Sequence, residues 1–135
     1  MFKSKQGFTL IELMVVIAII GILAGAALAL FPGANDKAND SKIKNSMAHL
    51  RTKMTGCKAQ NSGNYQTPSS CDSELVTEIE NLSPSSLNGS TSDASYCADI
   101  ELNLGNYWCI DDELHSVEVS TSSSPCGTDP TATCQ

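Results

Sequence analysis

The sequence predicts an α+β protein: a long N-terminal α-helix, apolar in its first half and amphipathic in its second, packed on a small disulfide-stapled antiparallel β head. Three observations predict it. An uncharged apolar stretch runs from Leu13 to Phe31, and apolar residues at helical spacing continue to Cys57. All six cysteines lie beyond the apolar stretch. Residues 95–114 show the period-two alternation of apolar side chains that is typical of strands.

The apolar stretch is long enough to cross a membrane. As a helix, residues 13–31 would span roughly 28 Å at about 1.5 Å per residue, close to a hydrocarbon core of about 30 Å. Lys3 and Lys5 precede it and favour a cytoplasmic N-terminus. Glu12 is the one charge at its start, and a carboxylate there costs about 2.5–3.5 kcal/mol on insertion scales, so we expect it to have a partner and a function.

Two features divide this helix from the next. Phe31-Pro32-Gly33 should interrupt it, because proline lacks an N–H and glycine disfavours the helix. Gly21 and Gly25 have the Gly-x-x-x-Gly spacing that lets membrane helices approach closely, although simple tolerance of glycine explains them equally well. We therefore predict a leader over 1–7, an apolar helix over 8–33 and a second helix over 34–58.

The second helix should be amphipathic. Its apolar side chains recur at intervals of three and four residues, and we expect this stripe to pack under the head rather than to bind a ligand. The stripe consists of Ile43, Met47, Leu50, Met54 and Cys57.

The head over 59–135 should contain one short helix and a hairpin. Asp72-Ser73 can cap a helix over 74–81, and the Ser/Pro/Gly-rich residues 83–95 favour a loop. A hairpin that places Cys97 opposite Cys109 brings the apolar side chains to one face and both cysteines to the other. A third strand is expected over 115–119.

The cysteines predict disulfides, since an even number on one side of a membrane segment is typical of an oxidising compartment. Nearest-neighbour pairing gives Cys57–Cys71, Cys97–Cys109 and Cys126–Cys134, of which only the middle pair has support from strand register. The other connectivities stay open. The chain contains no Cys-x-x-Cys pair, and we predict no metal site.

Charge is segregated along the chain. All eight basic residues lie at or before Lys58, whereas twelve of the fifteen acidic residues lie at or beyond Asp72. Solubility explains an acidic head, and complementarity between a basic helix and acidic heads is a sharper alternative. An acidic head is a poor surface for phosphate backbones, so no direct contact with nucleic acid is predicted.

Residues for catalysis are not evident. The chain has neither Gly-x-x-x-x-Gly-Lys nor Gly-x-Gly-x-x-Gly, so we expect no cofactor and no ATPase or other enzymatic activity. Asp111-Asp112-Glu113 could bind calcium, but a solvated acidic turn is the simpler interpretation. A serine with His115 and Asp111 could form a triad, yet nothing in the sequence places the three together.

The chain begins with a short basic leader, Lys3-Ser4-Lys5-Gln6-Gly7, followed by Phe8-Thr9-Leu10-Ile11-Glu12 and the apolar helix. This N-terminus, about the first quarter of the chain, resembles that of type IV prepilins and of the related pseudopilins of type II secretion. The resemblance implies cleavage between Gly7 and Phe8 by a prepilin peptidase, N-methylation of Phe8, and an assembly contact made by Glu12. One departure is that the usual helix-breaking proline lies three residues earlier in many pilins, where this chain has Ala29.

The resemblance also implies partners and a location. The precursor would lie in the bacterial inner membrane, and the assembly machinery would then pack copies of the chain, or related pilins, into a helical filament on the cell surface. Such filaments serve adhesion, motility or DNA uptake.

Three alternatives are kept. One is a pseudopilin of a type II secretion system. Another is a secreted disulfide-rich binding module with a removable signal peptide, because Ala24-Gly25-Ala26 and Ala27-Leu28-Ala29 resemble its cleavage sites. A plain membrane anchor is the third. The length of the apolar run and the unexplained cost of Glu12 argue against the signal peptide.

Overall fold

The computed structural model describes residues 7–31, 33–120, 123–127, 129 and 131–134. Its backbone divides between Asn35 and Asp36 into two compact units. The head unit combines helices with a four-stranded antiparallel sheet and disulfides, and the other unit is an apolar helix. The predicted α+β class is confirmed.

Helix α1 spans Leu10–Leu30. Its segment Leu10–Leu28 is long and apolar enough to cross a membrane, judged by length and composition. The helix ends at the predicted interruption, where Phe31 is the C-cap. Gly33 follows with φ +80°, a left-handed conformation that favours glycine. Pro32, which the prediction also invoked, lies outside the described residues.

Helix α2 spans Ala34–Gln60 and carries the predicted apolar stripe. Ile43, Met47, Leu50 and Met54 are fully buried and belong to the main core of the head. The rest of the head contributes the other side chains of this core, namely Val76, Ile79, Tyr96, Ala98, Ile100, Leu102 and Ile110. The two methionines therefore fill the core, as expected.

Two short helices follow α2. Helix α3 spans Pro68–Cys71, and helix α4 spans Ser73–Leu82. The predicted cap is present, because Asp72 Oδ1 accepts a hydrogen bond of 3.0 Å from the Leu75 amide. That bond satisfies one of the free N–H groups at the start of α4.

The sheet contains strands β1 (Asn88–Thr91), β2 (Tyr96–Glu101), β3 (Tyr107–Asp111) and β4 (Ser116–Val119), in that order. The third predicted strand corresponds to β4. Strand β1 was not predicted, because the Ser/Pro/Gly-rich residues 83–95 favour a loop. It contains no large apolar side chain that would reveal it. The glycine in this strand has a packing reason. A Cβ at Gly89 would lie 2.8 Å from Pro68 Cγ, so only glycine lets β1 pack against α3.

The predicted hairpin exists, but its register was wrong by two residues. Cys97 lies opposite Asp111, and Asp99 lies opposite Cys109. The turn decides this register: the Leu102 amide donates to the Asn106 carbonyl at 2.7 Å, and Gly105 adopts φ +88°. A slip of two residues keeps every side chain on its predicted face, which is why the apolar face was predicted correctly.

A buried aspartate ties this turn to α2. Asp40 is 4% exposed, and its Oδ1 accepts hydrogen bonds from the backbone amide of Asn103 at 2.7 Å and from its side-chain amide at 2.9 Å. The Asn103 side chain also donates to the Leu82 carbonyl at 2.9 Å. The helical period places Asp40 three residues before Ile43, on the same face as the apolar stripe, but the stripe was defined by apolar side chains alone and so did not include it.

Candidate functional site

The segment that the sequence analysis assigns to processing lies just before α1. Gly7, Phe8 and Thr9 are exposed and not helical, and the Phe8 side chain is among the most exposed apolar groups, at 82%. A Cβ at Gly7 would meet nothing within 4 Å. The backbone around the Gly7–Phe8 bond is therefore open to another protein.

Glu12 is engaged within its own helix. Its Oε2 accepts hydrogen bonds from the Thr9 amide at 3.0 Å and from the Thr9 hydroxyl at 2.7 Å. The Glu12 amide in turn donates to Thr9 Oγ1 at 3.3 Å. This is a reciprocal capping box. This capping box was not predicted, although Thr9-x-x-Glu12 is its usual sequence signal.

The side chains of α1 from Leu10 to Leu28 are exposed. Leu10, Ile11 and Ile22 are each more than 70% exposed, and no part of the segment Leu10–Leu28 is buried. Gly21 and Gly25 leave open space where a Cβ would be. An apolar surface of this size marks a membrane or protein contact.

The six cysteines form three disulfides, and none of them is free. Cys57 is joined to Cys71, the pair that the sequence analysis predicts. The predicted pairs Cys97–Cys109 and Cys126–Cys134 are wrong. The structure instead joins Cys97 to Cys126 and Cys109 to Cys134. The reason is the register: an aspartate, not a cysteine, lies opposite each strand cysteine.

The two bridges hold a C-terminal strap, by which we mean the described residues 123–127, 129 and 131–134. Asp99 Oδ1 accepts hydrogen bonds from the Ser124 hydroxyl at 2.7 Å and from the Cys126 amide at 3.0 Å. Asp111 Oδ2 accepts one from the Cys134 amide at 2.9 Å. Both carboxyl groups are fully buried, so these bonds replace the water that the carboxyl groups lose on folding.

Asp111 also holds His115. Its Oδ2 lies 2.8 Å from His115 Nδ1, and its Oδ1 accepts the His115 amide at 2.9 Å. Burial alone raises the pKa of Asp111, but the hydrogen bonds from Cys134 and His115 outweigh it and hold the pKa below its usual value. The structure thus brings together Asp111 and His115, two members of the hypothetical triad, and Asp111 also accepts a hydrogen bond from the strap.

The acidic residues at the end of β3 and in the turn after it differ in burial. Asp111 is buried against the strap, whereas the Glu113 side chain is 62% exposed. The two oxygens of Asp111 are already occupied by donors from His115 and Cys134. The calcium hypothesis therefore gains nothing from the geometry of this turn.

Basic residues of α2 meet acidic groups of the same head. Lys44 Nζ lies 2.6 Å from Glu118 Oε2, and Lys53 Nζ lies 3.1 Å from Asp72 Oδ2. Hydrogen bonds from Lys44 and Asn106 lower the pKa of Glu118 below its usual value. Part of the charge complementarity seen in the sequence is thus satisfied within one chain.

Comparison with known proteins supports the resemblance at the N-terminus. Residues 2–28 match the family model of the prokaryotic N-terminal methylation motif. The chain is 37% identical to the type II secretion system core protein G of Klebsiella michiganensis over 76 residues, which are 56% of this chain and 53% of that protein.

Fimbrial proteins are also among the relatives. Fimbrial protein EcpB of Eikenella corrodens is 50% identical over 52 residues, or 38% of this chain and 32% of that protein. The type IV major alpha-pilin of Moraxella bovis is 44% identical over 50 residues, or 37% and 31% of the two chains.

The chain spans about half or less of the length of these curated relatives. No solved structure matches it. The N-terminal motif, which includes most of the apolar helix α1, and these relatives agree with one another. The chain therefore carries a prepilin-type N-terminus, and that segment is similar to those of type IV pilins and of a type II secretion pseudopilin.

Proposed function

We propose that the chain is a structural subunit, rather than an enzyme, of a type IV pilus-like filament. The observation that carries this proposal is α1, because the methylation motif matches residues 2–28 and the apolar side chains of this helix are exposed from Leu10 to Leu28. Burying them stabilises an assembly by about 25 cal/mol for each Å² removed from water. In the bilayer, lipid covers the same surface.

The proposed sequence of events begins at the leader. A prepilin peptidase cuts between Gly7 and Phe8, and Phe8 becomes N-methylated. The apolar helix of residues 8–33 stays in the inner membrane until the assembly machinery moves it into a filament core. The amphipathic helix of residues 34–58 then carries the head of residues 59–135 outward, on the cell surface.

Glu12 would change partners at cleavage. In the uncut chain its carboxylate is satisfied by Thr9. Cleavage creates a charged amine on Phe8, four residues before Glu12, with a reference pKa of about 7.7–8.0. In an apolar core either charge alone is costly, so the carboxylate gains from meeting the amine of a neighbouring subunit. That contact would set the axial register of the filament.

The head surface would decide between adhesion, motility and DNA uptake. Its acidic charge from Asp72 onward disfavours a direct contact with nucleic acid. Any role in DNA uptake would then pass through α2 or through another protein.

The second candidate is a pseudopilin of a type II secretion system. One observation favours it: the alignment with core protein G from Klebsiella michiganensis extends over 76 residues, against 50 to 57 for the fimbrial relatives. Both candidates share the same processing and the same apolar helix.

The test begins with the N-terminus of the mature chain. Mass spectrometry should find methylated Phe8 as the first residue, whereas a start beyond Ala26 or Ala29 would show a secreted module instead. Deletion of the chain should then remove filaments from the cell surface. If filaments persist and secretion of folded proteins stops, the chain is a pseudopilin.

A further inference from the structure

The strap is joined to the sheet by two matching sets of residues. In each set, a cysteine and an aspartate lie two positions apart on one strand: Cys97 and Asp99 on β2, Cys109 and Asp111 on β3. Because side chains alternate along a strand, the two members of a set lie on the same face. The antiparallel register places each cysteine opposite the aspartate of the other strand.

Each aspartate accepts a hydrogen bond from the strap cysteine that forms a disulfide with the aspartate's own strand. The amide of Cys126 donates to Asp99, and Cys126 is bonded to Cys97. The amide of Cys134 donates to Asp111, and Cys134 is bonded to Cys109. Backbone hydrogen bonds and disulfides therefore follow the same pairing.

Distances between sulfurs do not explain that pairing. Cys109 Sγ lies 3.8 Å from Cys97 Sγ and 3.7 Å from Cys126 Sγ. The sulfurs of Cys97, Cys109 and Cys134 all lie within 4.8 Å of one another. A disulfide is about 2 Å long, so small movements would allow other bridges among these four cysteines. Something besides proximity must select the pairing.

We propose that Asp99 and Asp111 are the residues that select the disulfide pairing of the strap. Asp99 fixes the Cys126 amide and the Ser124 hydroxyl, and thereby presents Cys126 to Cys97. Asp111 fixes the Cys134 amide and presents Cys134 to Cys109. The Asn88 side chain, 3.5 Å from Asp99 Oδ2, and the His115 ring on Asp111 orient the two carboxyl groups.

The chemistry needs only an external disulfide as the oxidant. A cysteine thiolate attacks glutathione disulfide, forms a mixed disulfide and releases one glutathione thiolate. The thiolate of the second cysteine then attacks the protein sulfur of that mixed disulfide and releases the other glutathione. The two cysteine thiols are thus oxidised to one bridge while one glutathione disulfide is reduced to two thiols. The aspartates act only by deciding which second cysteine is within reach.

The experiment uses the full chain in detergent, reduced in urea and re-oxidised in a glutathione buffer after the urea is removed. Alkylation stops exchange. A protease that cuts after glutamate then cleaves at Glu101, Glu113 and Glu118, and a second protease that cuts before aspartate cleaves between Thr128 and Asp129, so all four cysteines lie on separate peptides. Mass spectrometry of the unreduced peptides then counts each bridge. Asp99→Ala and Asp111→Ala are compared with wild type and with Asp93→Ala, an exposed aspartate outside the strap.

We expect each strap variant to lower the ratio of native to non-native strap bridges about tenfold, the effect of losing hydrogen bonds to a charged group. Cys57–Cys71 should form as in wild type and reports correct folding of the remainder. Asp99→Asn and Asp111→Asn should restore the native pairing, because an amide oxygen still accepts the cysteine N–H. In concentrated urea all variants should give the same mixture.

Native pairing at wild-type yield in both alanine variants would overturn the proposal. Loss of Cys57–Cys71 together with the strap bridges would also overturn it, since the aspartates would then support folding in general. Asparagine variants as scrambled as the alanine variants would show that hydrogen-bond acceptance is not the cause, with the same consequence.

Discussion

Asp99 and Cys109 are direct cross-strand partners in the β2–β3 ladder. This pairing removes the direct opposition of Cys97 and Cys109 on which the predicted bridge rested, although their sulfurs lie 3.8 Å apart. Each of these cysteines instead forms a disulfide with a cysteine of the strap. The head therefore encloses its second, cysteine-lined core between the sheet and the C-terminal segment, with Val117, Val119 and Ala132 packed around it.

Gly7→Val should leave an uncut precursor in the membrane. The chain itself has room for the new side chain, since a Cβ at Gly7 meets nothing within 4 Å. The block would arise in the peptidase, which must approach the backbone closely. Gel mobility and N-terminal mass report the cut, and Gln6→Ala is the matched control. Normal processing of Gly7→Val would rule out this role for Gly7.

Glu12→Val or Glu12→Ala should be processed and inserted normally but should enter filaments poorly. Insertion should even be easier, because the cost of a carboxylate in the membrane disappears. Glu12→Gln should be at most as defective as Glu12→Ala. Filament yield per cell is the measurement.

Thr9→Val separates the two possible roles of Glu12. It removes the hydroxyl that contacts the carboxylate at 2.7 Å and leaves the carboxylate itself in place. If Glu12 acts between subunits, Thr9→Val should assemble well. Equal defects in the Thr9 and Glu12 variants would show that the carboxylate serves only to cap α1.

Asp111 should make the stability of the head depend on pH. Its pKa is lowered in the folded state, so its contribution is complete above its unfolded pKa of about 3.9 and is lost as the pH falls through the folded value. Urea unfolding, followed by the fluorescence of the single tryptophan, Trp108, measures this. The stability gap between wild type and Asp111→Asn should narrow from pH 7 to pH 3. A gap independent of pH would contradict the expectation.

Gly89→Ala should destabilise the head by about 1–3 kcal/mol, the usual cost of overpacking. The new methyl would lie 2.8 Å from the Pro68 ring, and β1 or α3 would have to move. Gly56→Ala is the matched control, because it lies in α2 with open space at its Cβ and should stabilise the helix by about 0.5–1 kcal/mol. Equal unfolding midpoints for the two variants would argue against the close contact.

Asp40→Ala should cost about 1–3 kcal/mol, because it leaves the two Asn103 amide groups without their shared acceptor. Asp36→Ala, an exposed residue in the first turn of α2, should change stability by less than about 1 kcal/mol. Urea midpoints of the full chain compare the two. A smaller loss of stability for Asp40→Ala than for Asp36→Ala would show that the Asp40–Asn103 hydrogen bonds contribute little to the stability of the head.

The sequence alone determined the features that depend on local order. The uncharged run after Glu12 predicted α1, the spacing of Ile43, Met47, Leu50 and Met54 predicted the buried stripe of α2, and Asp72 predicted the cap of α4. Alternation in β2 and β3 predicted which side chains face the core. These patterns have fixed periods, so a short stretch of chain is enough to reveal them.

Only the tertiary structure decided how distant segments meet. A slip of two residues preserves the faces of a hairpin, so the sequence could not choose between Cys97 opposite Cys109 and Cys97 opposite Asp111; the β2–β3 turn chose the latter. Strand β1 depends on the close approach of Gly89 to Pro68. The disulfide pairing depends on a strap folded back onto buried carboxyl groups more than 20 residues away in the chain, a contact for which no local pattern exists.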